Sequence, residues 1–332
     1  MKHEFKIIFI LMMLFFISQI LGLYLLNYSI KSIEKNETGK IEVKFNDVPT
    51  GRPEINKESY KPLTYVFFMI ILGTIILLLI IKMKLFKIWK SWFFLAIMLS
   101  LFITISVFIQ TYIALIISII LTILKLYKPN IIIHNITEVF IYSAITIILA
   151  PIFTLQMAFL LLIFISIYDA IAVWKLKHMI TMAKAQAEQK MFAGLLIPYT
   201  FNFKKKIKNN NSYNSKDNIL KEKEKENKIE TNIKIEIPKG INAEKTKTAI
   251  LGGGDIAFPM LFSGSVMIWL IENSYSQIMA YFLSLIVVLF SGFGLFYLFL
   301  KSEKDKFYPA MPFISAGCFL GFIVLYVLLK IF

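Results

Sequence analysis

The sequence predicts an all-α, polytopic membrane protein with about nine transmembrane helices. Hydrophobic residues make up 58% of the chain, and the mean hydropathy of +0.70 is far above that of a soluble domain. A helix needs roughly 20 predominantly apolar residues to cross the hydrocarbon core of a bilayer. Segments that approach this length and composition lie near 7–28, 63–81, 91–109, 111–126, 137–152, 154–174, 248–271, 277–300 and 308–331.

The first apolar segment follows Lys2 and Lys6, and a basic start of this kind is also found in signal peptides. Its apolar run is longer than the hydrophobic core of a signal peptide, and no clear small-residue cleavage site follows it. We therefore interpret the segment as a helix that is retained. The chain has one cysteine, Cys318, so the sequence predicts neither an intrachain disulfide framework nor a multi-thiol metal site.

The distribution of lysine predicts a cytoplasmic N-terminus. In that orientation the short cytoplasmic loops are basic and the short outside loops carry essentially no lysine, as the positive-inside rule requires. The first outside loop, about residues 29–62, contains lysines and Arg52 and counts against this orientation. The lysines of the short cytoplasmic segments are Lys2, Lys6, Lys82, Lys84, Lys87, Lys90, Lys125, Lys128, Lys301, Lys304 and Lys306.

The polar segment 175–247 divides the chain into three parts. Residues 1–174 form an N-terminal six-helix part, residues 175–247 a largely flexible cytosolic loop, and residues 248–332 a C-terminal three-helix part. Within the loop, 179–191 has a helix-forming composition and is predicted to extend the sixth helix. Residues 233–238 alternate between apolar and polar, which fits an edge strand or a loop fragment.

The net charge of +15 raises the question of nucleic-acid binding. Its densest part is the lysine cluster at 204–208, which is followed by three asparagines and then by alternating lysine and glutamate at 221–226. Such patterning is typical of a solvated segment that touches anionic lipid headgroups. We therefore expect a lipid bilayer and no nucleic acid among the partners.

Asp169 and Asp255 are the two acidic residues that we place deep inside apolar segments, with Glu138 and Glu272 at span edges. A carboxylate at membrane depth costs about 2.5–3.5 kcal/mol on insertion scales and is usually retained for function. With a cytoplasmic N-terminus, Asp169 lies on the order of 8 Å and Asp255 on the order of 10 Å from the cytosolic ends of their helices. Consecutive helices can lie side by side, so the two carboxyls can meet.

Two carboxyls in contact share one proton, because both cannot comfortably ionise. Aspartic proteases use this arrangement: the ionised carboxylate activates water and the protonated partner polarises the scissile carbonyl. The sequence Gly252-Gly253-Gly254 directly before Asp255 is a poor helix interior. These glycines leave room for another backbone or let the helix start unwound, and close helix packing is the alternative explanation.

Three short motifs follow one another along the chain: YD at 168–169, GGGD at 252–255 and PAM at 309–311. They resemble the YD, GxGD and PAL signatures of the presenilin and signal peptide peptidase superfamily of GxGD intramembrane aspartyl proteases. The number of spans and the long loop between the two aspartates also match, so the resemblance covers the whole chain. The orientation favours the presenilin side, and the chain looks most like a microbial presenilin homologue.

The resemblance implies a presenilin-like fold and an intramembrane endopeptidase that cuts transmembrane protein substrates without a cofactor or metal. Met311 stands where the family usually has leucine, and methionine is apolar and of similar size. For Tyr168 a hydrogen bond inside the site and an ordinary interior partner are both open. By resemblance the catalytic pair is Asp169 and Asp255, and the residues lining the site are Tyr168, Gly252, Gly254, Pro309, Ala310 and Met311.

Other protease classes fit less well. His3, His134 and His178 are scattered and form no HExxH motif, and we place them in loops or at the interface, which disfavours a zinc protease and a Ser/His dyad. Two alternatives stay open. One is a prepilin-peptidase-like GxGD protease, and the other is a proton-coupled transporter or channel that uses the same carboxylates, although no internal repeat is visible. Oligomerisation also stays open.

Overall fold

The computed structural model describes residues 5–36, 39–51, 60–128, 130–176, 186, 189, 191, 193–198, 248–302 and 308–331. These ranges contain nine helices, which confirms the predicted helical fold class. Eight are long and apolar enough to cross a membrane, and α4 is shorter. The helices are α1 (Phe5–Tyr28), α2 (Lys61–Lys82), α3 (Phe86–Ser106), α4 (Thr111–Tyr127), α5 (Ile131–Leu149), α6 (Leu155–Ile171), α7 (Gly254–Glu272), α8 (Gln277–Lys301) and α9 (Met311–Ile331).

Polar caps determine where several of these helices begin. The side chain of Thr154 accepts a hydrogen bond from the Met157 N–H at the start of α6, and Asn130 accepts one from Ile132 at the start of α5. Each cap satisfies a backbone donor that the helix itself leaves unpaired. Because Asn130 caps α5, this helix begins earlier than position 137, where the apolar run alone would start it.

Two small antiparallel sheets add to the helical fold. Strands β1 (Ile30–Lys35) and β2 (Ile41–Phe45) pair after α1. Strands β3 (Gly194–Pro198) and β4 (Thr248–Gly252) pair directly before α7. Thus β4 occupies residues that the hydropathy pattern assigned to the seventh helix. The predicted extension at 179–191 and the predicted strand at 233–238 lie largely or entirely outside the described residues.

Helix α7 lies at the centre of the bundle, in contact with α1, α5, α6, α8 and α9. Its side chains Met260, Phe262 and Val266 are fully buried. Helix α2 is peripheral, and its most apolar stretch has no buried residue. Phe67 of α2 stacks on Phe164 of α6 with ring centroids 3.9 Å apart, which ties α2 to the rest of the bundle on one side.

Helices α8 and α9 pack backbone against backbone. A Cβ added to Gly317 of α9 would lie 2.3 Å from the Phe290 carbonyl oxygen of α8, and one added to Gly294 of α8 would lie 2.3 Å from the Phe313 oxygen of α9. Only glycine permits this approach, and small residues at helix contacts are common in membranes. The close pair gives α9 a fixed position, and its first residue reaches the site described next.

Candidate active site

Asp169 lies at the cytosolic end predicted for α6, where the helix passes into a π-helical turn over Ala172–Leu176. Its side chain is 6% exposed. The Met311 N–H, at the first residue of α9, donates a hydrogen bond of 3.1 Å to Asp169 Oδ2, and the Ala310 backbone also interacts with this carboxylate. The amino end of a helix favours a negative charge, so α9 directs its positive end at Asp169.

Asp255 lies in the first turn of α7 and is partly exposed. Its carboxylate lies against Gly252, because a Cβ added there would be 3.1 Å from Asp255 Oδ2. The two carboxyls are close enough to interact electrostatically. The structure thus brings together Asp169, Asp255 and the start of α9, which are the three motifs recognised in the sequence.

The glycines before Asp255 have different surroundings. A Cβ on Gly253 would lie 2.8 Å from Tyr142 Cε1 and 3.0 Å from its hydroxyl oxygen, whereas one on Gly254 would have Phe258 at 3.5 Å as its nearest neighbour. The middle glycine therefore has the tightest fit, although the motif resemblance singles out Gly252 and Gly254. Tyr142 belongs to α5 and is 3% exposed.

Tyr168 joins α6 to α2. Its hydroxyl is 2.8 Å from Thr74 Oγ1 of α2, and its ring stacks on Phe164. The sequence left open whether the Tyr168 hydroxyl bonds inside the site or to an ordinary interior partner. In the structure its partner is on the neighbouring helix α2. Tyr168 directly precedes Asp169 in the chain. A movement of α2 would therefore displace the residue next to that carboxylate.

Helix α5 closes one edge of the β3–β4 sheet. Asn135 Nδ2 donates to the Leu196 carbonyl at 2.9 Å, and the Leu196 N–H donates to Asn135 Oδ1, also at 2.9 Å. Both backbone groups of Leu196 face α5 and not β4. Leu196 and Ile250 are therefore a non-hydrogen-bonded pair of the antiparallel ladder. The N–H and C=O of Ile250 consequently face away from β3, and no described residue hydrogen-bonds to them. That open edge of β4 leads to Gly252 and hence to Asp255.

A buried charged cluster on α4 and α5 was missed by the sequence interpretation. Lys125 forms an ion pair with Glu138, and His134 Nε2 lies 3.8 Å from Glu138 Oε1. Glu138 is 2% and His134 8% exposed, and His134 lies in the first turn of α5 and not in a loop. The two partners are on different helices, and only packing reveals the pair.

Helix α1 holds the backbone just after Asp255. Gln19 Nε2 donates a hydrogen bond of 2.8 Å to the Ile256 carbonyl, and Gln19 is fully buried. Pro259 lies inside α7 and has no N–H for the Asp255 carbonyl, so the first turn of α7 lacks one helical bond. A residue on α1 thereby supports the turn that carries the carboxylate. Within the described ranges, no group of three or more His, Cys, Asp or Glu residues is arranged to hold a metal ion.

Two comparisons with known proteins found a match. A family model described as signal-peptide peptidase, presenilin aspartyl protease matches residues 12–331. The chain matches no protein of curated function. It is similar to the solved structure of a presenilin family intramembrane aspartate protease, with a TM-score of 0.54 and 16% identity over 96% of this chain and 97% of that chain. At that identity the structural likeness supports the fold.

Proposed function

This chain belongs to the signal-peptide peptidase and presenilin family of aspartyl proteases, and on that premise we propose that Asp169 and Asp255 are its catalytic dyad. The protein is an integral, multi-pass membrane protease, and family membership implies transmembrane proteins as its substrates. One observation carries the assignment to these two residues. Asp169 at the end of α6 accepts the Met311 N–H where α9 begins, and Asp255 lies in the first turn of α7, which packs against both of these helices.

The proposed reaction is direct attack by water. The ionised carboxylate takes a proton from water, whose oxygen bonds to the scissile carbonyl carbon, while the other carboxyl gives its proton to the carbonyl oxygen. Collapse of the tetrahedral intermediate breaks the C–N bond, and a proton passes to the leaving amine. We assign the negative charge to Asp169, because it accepts the Met311 N–H at the amino end of α9.

The substrate would bind as an added strand. A helical segment hides its amide bonds, so the part to be cut must become extended. The open edge of β4 at Ile250 offers an N–H and a C=O to such a segment, and strand addition provides affinity through backbone hydrogen bonds. A segment docked there would lie beside Gly252 and therefore next to Asp255.

Helix α2 is the element past which a substrate could reach the carboxylates. Its described contacts with α6 include one aromatic stack, Phe67 on Phe164, and one hydrogen bond, Thr74 to Tyr168. By contrast, α6 is held to α9 by the Ser166–Ser315 hydrogen bond of 2.8 Å and the bond from Met311 to Asp169. The Phe159 ring of α6 also packs on two rings of α9, Phe319 and Phe322. We therefore place lateral access on the α2 side, where fewer contacts have to open.

The test is cleavage of a single-span substrate by purified protein in detergent. Wild type should produce two fragments, whereas Asp169→Asn and Asp255→Asn, which keep size but lose the acid, should produce none. Unchanged thermal unfolding of both variants would show that folding is intact. Cleavage that persists in either variant would contradict the dyad, and proton flux in liposomes would then test the carboxylates as a relay.

A further inference from the structure

The β3–β4 hairpin has no short turn that sets its register. Residues 199–247 separate the two strands, which is far longer than the loops of two to five residues that fix register in hairpins. A two-stranded sheet is also marginally stable by itself in water. The position of this hairpin must therefore be fixed by contacts with other elements.

Burial of alternate side chains fixes only part of that register. Leu195 and Ile197 of β3 and Ala249 and Leu251 of β4 are buried, so a slip by one residue would expose them. A slip of β3 by two residues, roughly 6.8 Å, keeps the apolar face inward. Apolar packing opposes the slip that would put Ala193 in the buried place of Leu195, but it does not oppose the opposite slip, which puts Ile197 there.

Two polar side chains of α5 bond to the backbone of β3 and oppose that slip. Asn135 pairs with both backbone groups of Leu196, as a neighbouring strand would. His134 Nε2 lies 2.8 Å from the Gly194 carbonyl, and because a carbonyl only accepts, this nitrogen carries the proton. After that slip Pro198 would take the place of Leu196 and would have no N–H for Asn135, so one of the two Asn135 hydrogen bonds would be lost.

A buried ion pair lies beside this His134 contact. Glu138 is one turn after His134 on α5 and forms its ion pair with Lys125 of α4, and all three side chains are buried. One further turn along α5, Tyr142 lies against Gly253. The same helix therefore contacts β3 near its start and, about two turns further along, the glycine that precedes the Gly254–Asp255 pair.

We propose that His134 and Asn135 are positioning residues that fix the register of β3 on α5 and thereby hold the open edge of β4 in line with Asp255. They touch neither the carboxylates nor the substrate, and they act through the hairpin. The inference rests on the proposed function, in which that edge binds the extended substrate. It predicts that these side chains determine where a substrate is cut and how tightly it binds.

The first test is Asn135→Leu, which keeps the size of the side chain and removes its donor and acceptor. KM for a single-span substrate should rise about tenfold from the loss of two hydrogen bonds, with kcat changed less than about threefold, and the fragments should show a shifted cut position. The matched control is Asn273→Leu at the C-terminal end of α7, far from the hairpin along that helix, which should leave KM and cut position unchanged. Equal behaviour of the two variants would overturn the proposal.

A disulfide between β3 and β4 should restore the register that the Asn135→Leu protein has lost. Leu196 and Ile250 form a pair without ladder hydrogen bonds, whose Cα atoms in such sheets are about 4.5 Å apart, within the range for a disulfide. In the Asn135→Leu protein, Leu196→Cys with Ile250→Cys should restore cut position when oxidised and lose it again when reduced. A general loss of folding would not respond in this way, so absence of restoration in the oxidised form would count against positioning.

Amide exchange separates this proposal from the proposed function. In wild type the Leu196 amide should exchange slowly, and Asn135→Leu should speed its exchange at least tenfold, whether or not the protein cleaves anything. If wild type fails to cleave while this difference is present, the catalytic assignment fails and the register contact stands. If exchange is the same in both proteins, the register contact itself is wrong.

Discussion

At the scale of single residues, Gly253 has the least room of the three glycines before Asp255. A methyl group there would meet the Tyr142 ring at 2.8 Å, against 3.5 Å to Phe258 for Gly254. Overpacking of this kind costs about 1–3 kcal/mol. We expect Gly253→Ala to lose about tenfold more kcat/KM than Gly254→Ala, because the turn that presents Asp255 has to shift.

Adding Tyr142→Leu to Gly253→Ala should restore part of that activity, since it removes the ring that the methyl group would meet. The measurement is initial cleavage rate over a range of substrate concentrations. If Gly254→Ala proved the more harmful change, or if Tyr142→Leu restored nothing, the tight contact would not be what limits this position.

The Lys125–Glu138 pair allows a second prediction at this scale. Removing one partner of a buried ion pair leaves an unpaired charge and typically costs about 3–5 kcal/mol, whereas replacing both is often neutral. Both side chains are 2% exposed. We expect Lys125→Met and Glu138→Leu each to unfold at a lower temperature in detergent than the double variant does. A double variant less stable than either single one would show that the charges are solvated.

At the scale of secondary-structure elements, the amino end of α9 stabilises the charged form of Asp169 through the Met311 N–H. Proline is tolerated at the first position of a helix, so Met311→Pro removes the N–H that bonds Asp169 while α9 can still form. Hydrogen bonds to charged groups contribute about 1.5–3 kcal/mol, so kcat should fall roughly tenfold to a hundredfold below that of Met311→Ala. Met311→Ala has lost the same side chain but keeps the N–H, and equal kcat values would contradict the role of this bond.

Helix α2 provides a test of substrate access. Phe67 and Phe164 face each other across α2 and α6, so cysteines at both positions can be joined by a short bifunctional thiol reagent with a reducible link. Crosslinking of the Phe67→Cys, Phe164→Cys protein should reduce cleavage of a single-span substrate at least tenfold, and reduction of the link should reverse the loss. Each single cysteine variant treated with the same reagent controls for the removal of a ring. Full activity in the crosslinked protein would place access elsewhere.

The same elements show what sequence alone could and could not predict. Spans were found because each must satisfy its backbone hydrogen bonds within one apolar helix, and the two aspartates stood out because charges at that depth are rare. Strand β4 was missed because Thr248 to Leu251 are as apolar as a helix start. Asn135, Glu138 and Tyr142 were missed because a polar residue in a span shows its partner only after the helices have packed.

At the scale of the whole molecule, the bundle surrounds one helix. Helix α7 is buried on most of its surface, and the elements around it each hold a part of the site. Gln19 of α1 binds the turn after Asp255, α5 fits against Gly253, and α9 reaches Asp169. Activity should therefore depend on intact packing between distant parts of the chain.

The orientation of this bundle decides from which side water reaches the carboxylates. With a cytoplasmic N-terminus, the β1–β2 hairpin lies outside and the start of α3 lies inside, which places Asp169 and Asp255 toward the cytosol. Lys40→Cys in the hairpin and Lys87→Cys in α3 are matched, exposed positions, to be compared in a Cys318→Ala background. A membrane-impermeant maleimide added to intact cells should label Lys40→Cys, and it should label Lys87→Cys only after the membrane is opened. The reverse pattern would invert the topology and move the open edge of β4 to the outer side, where extended substrates would then have to bind.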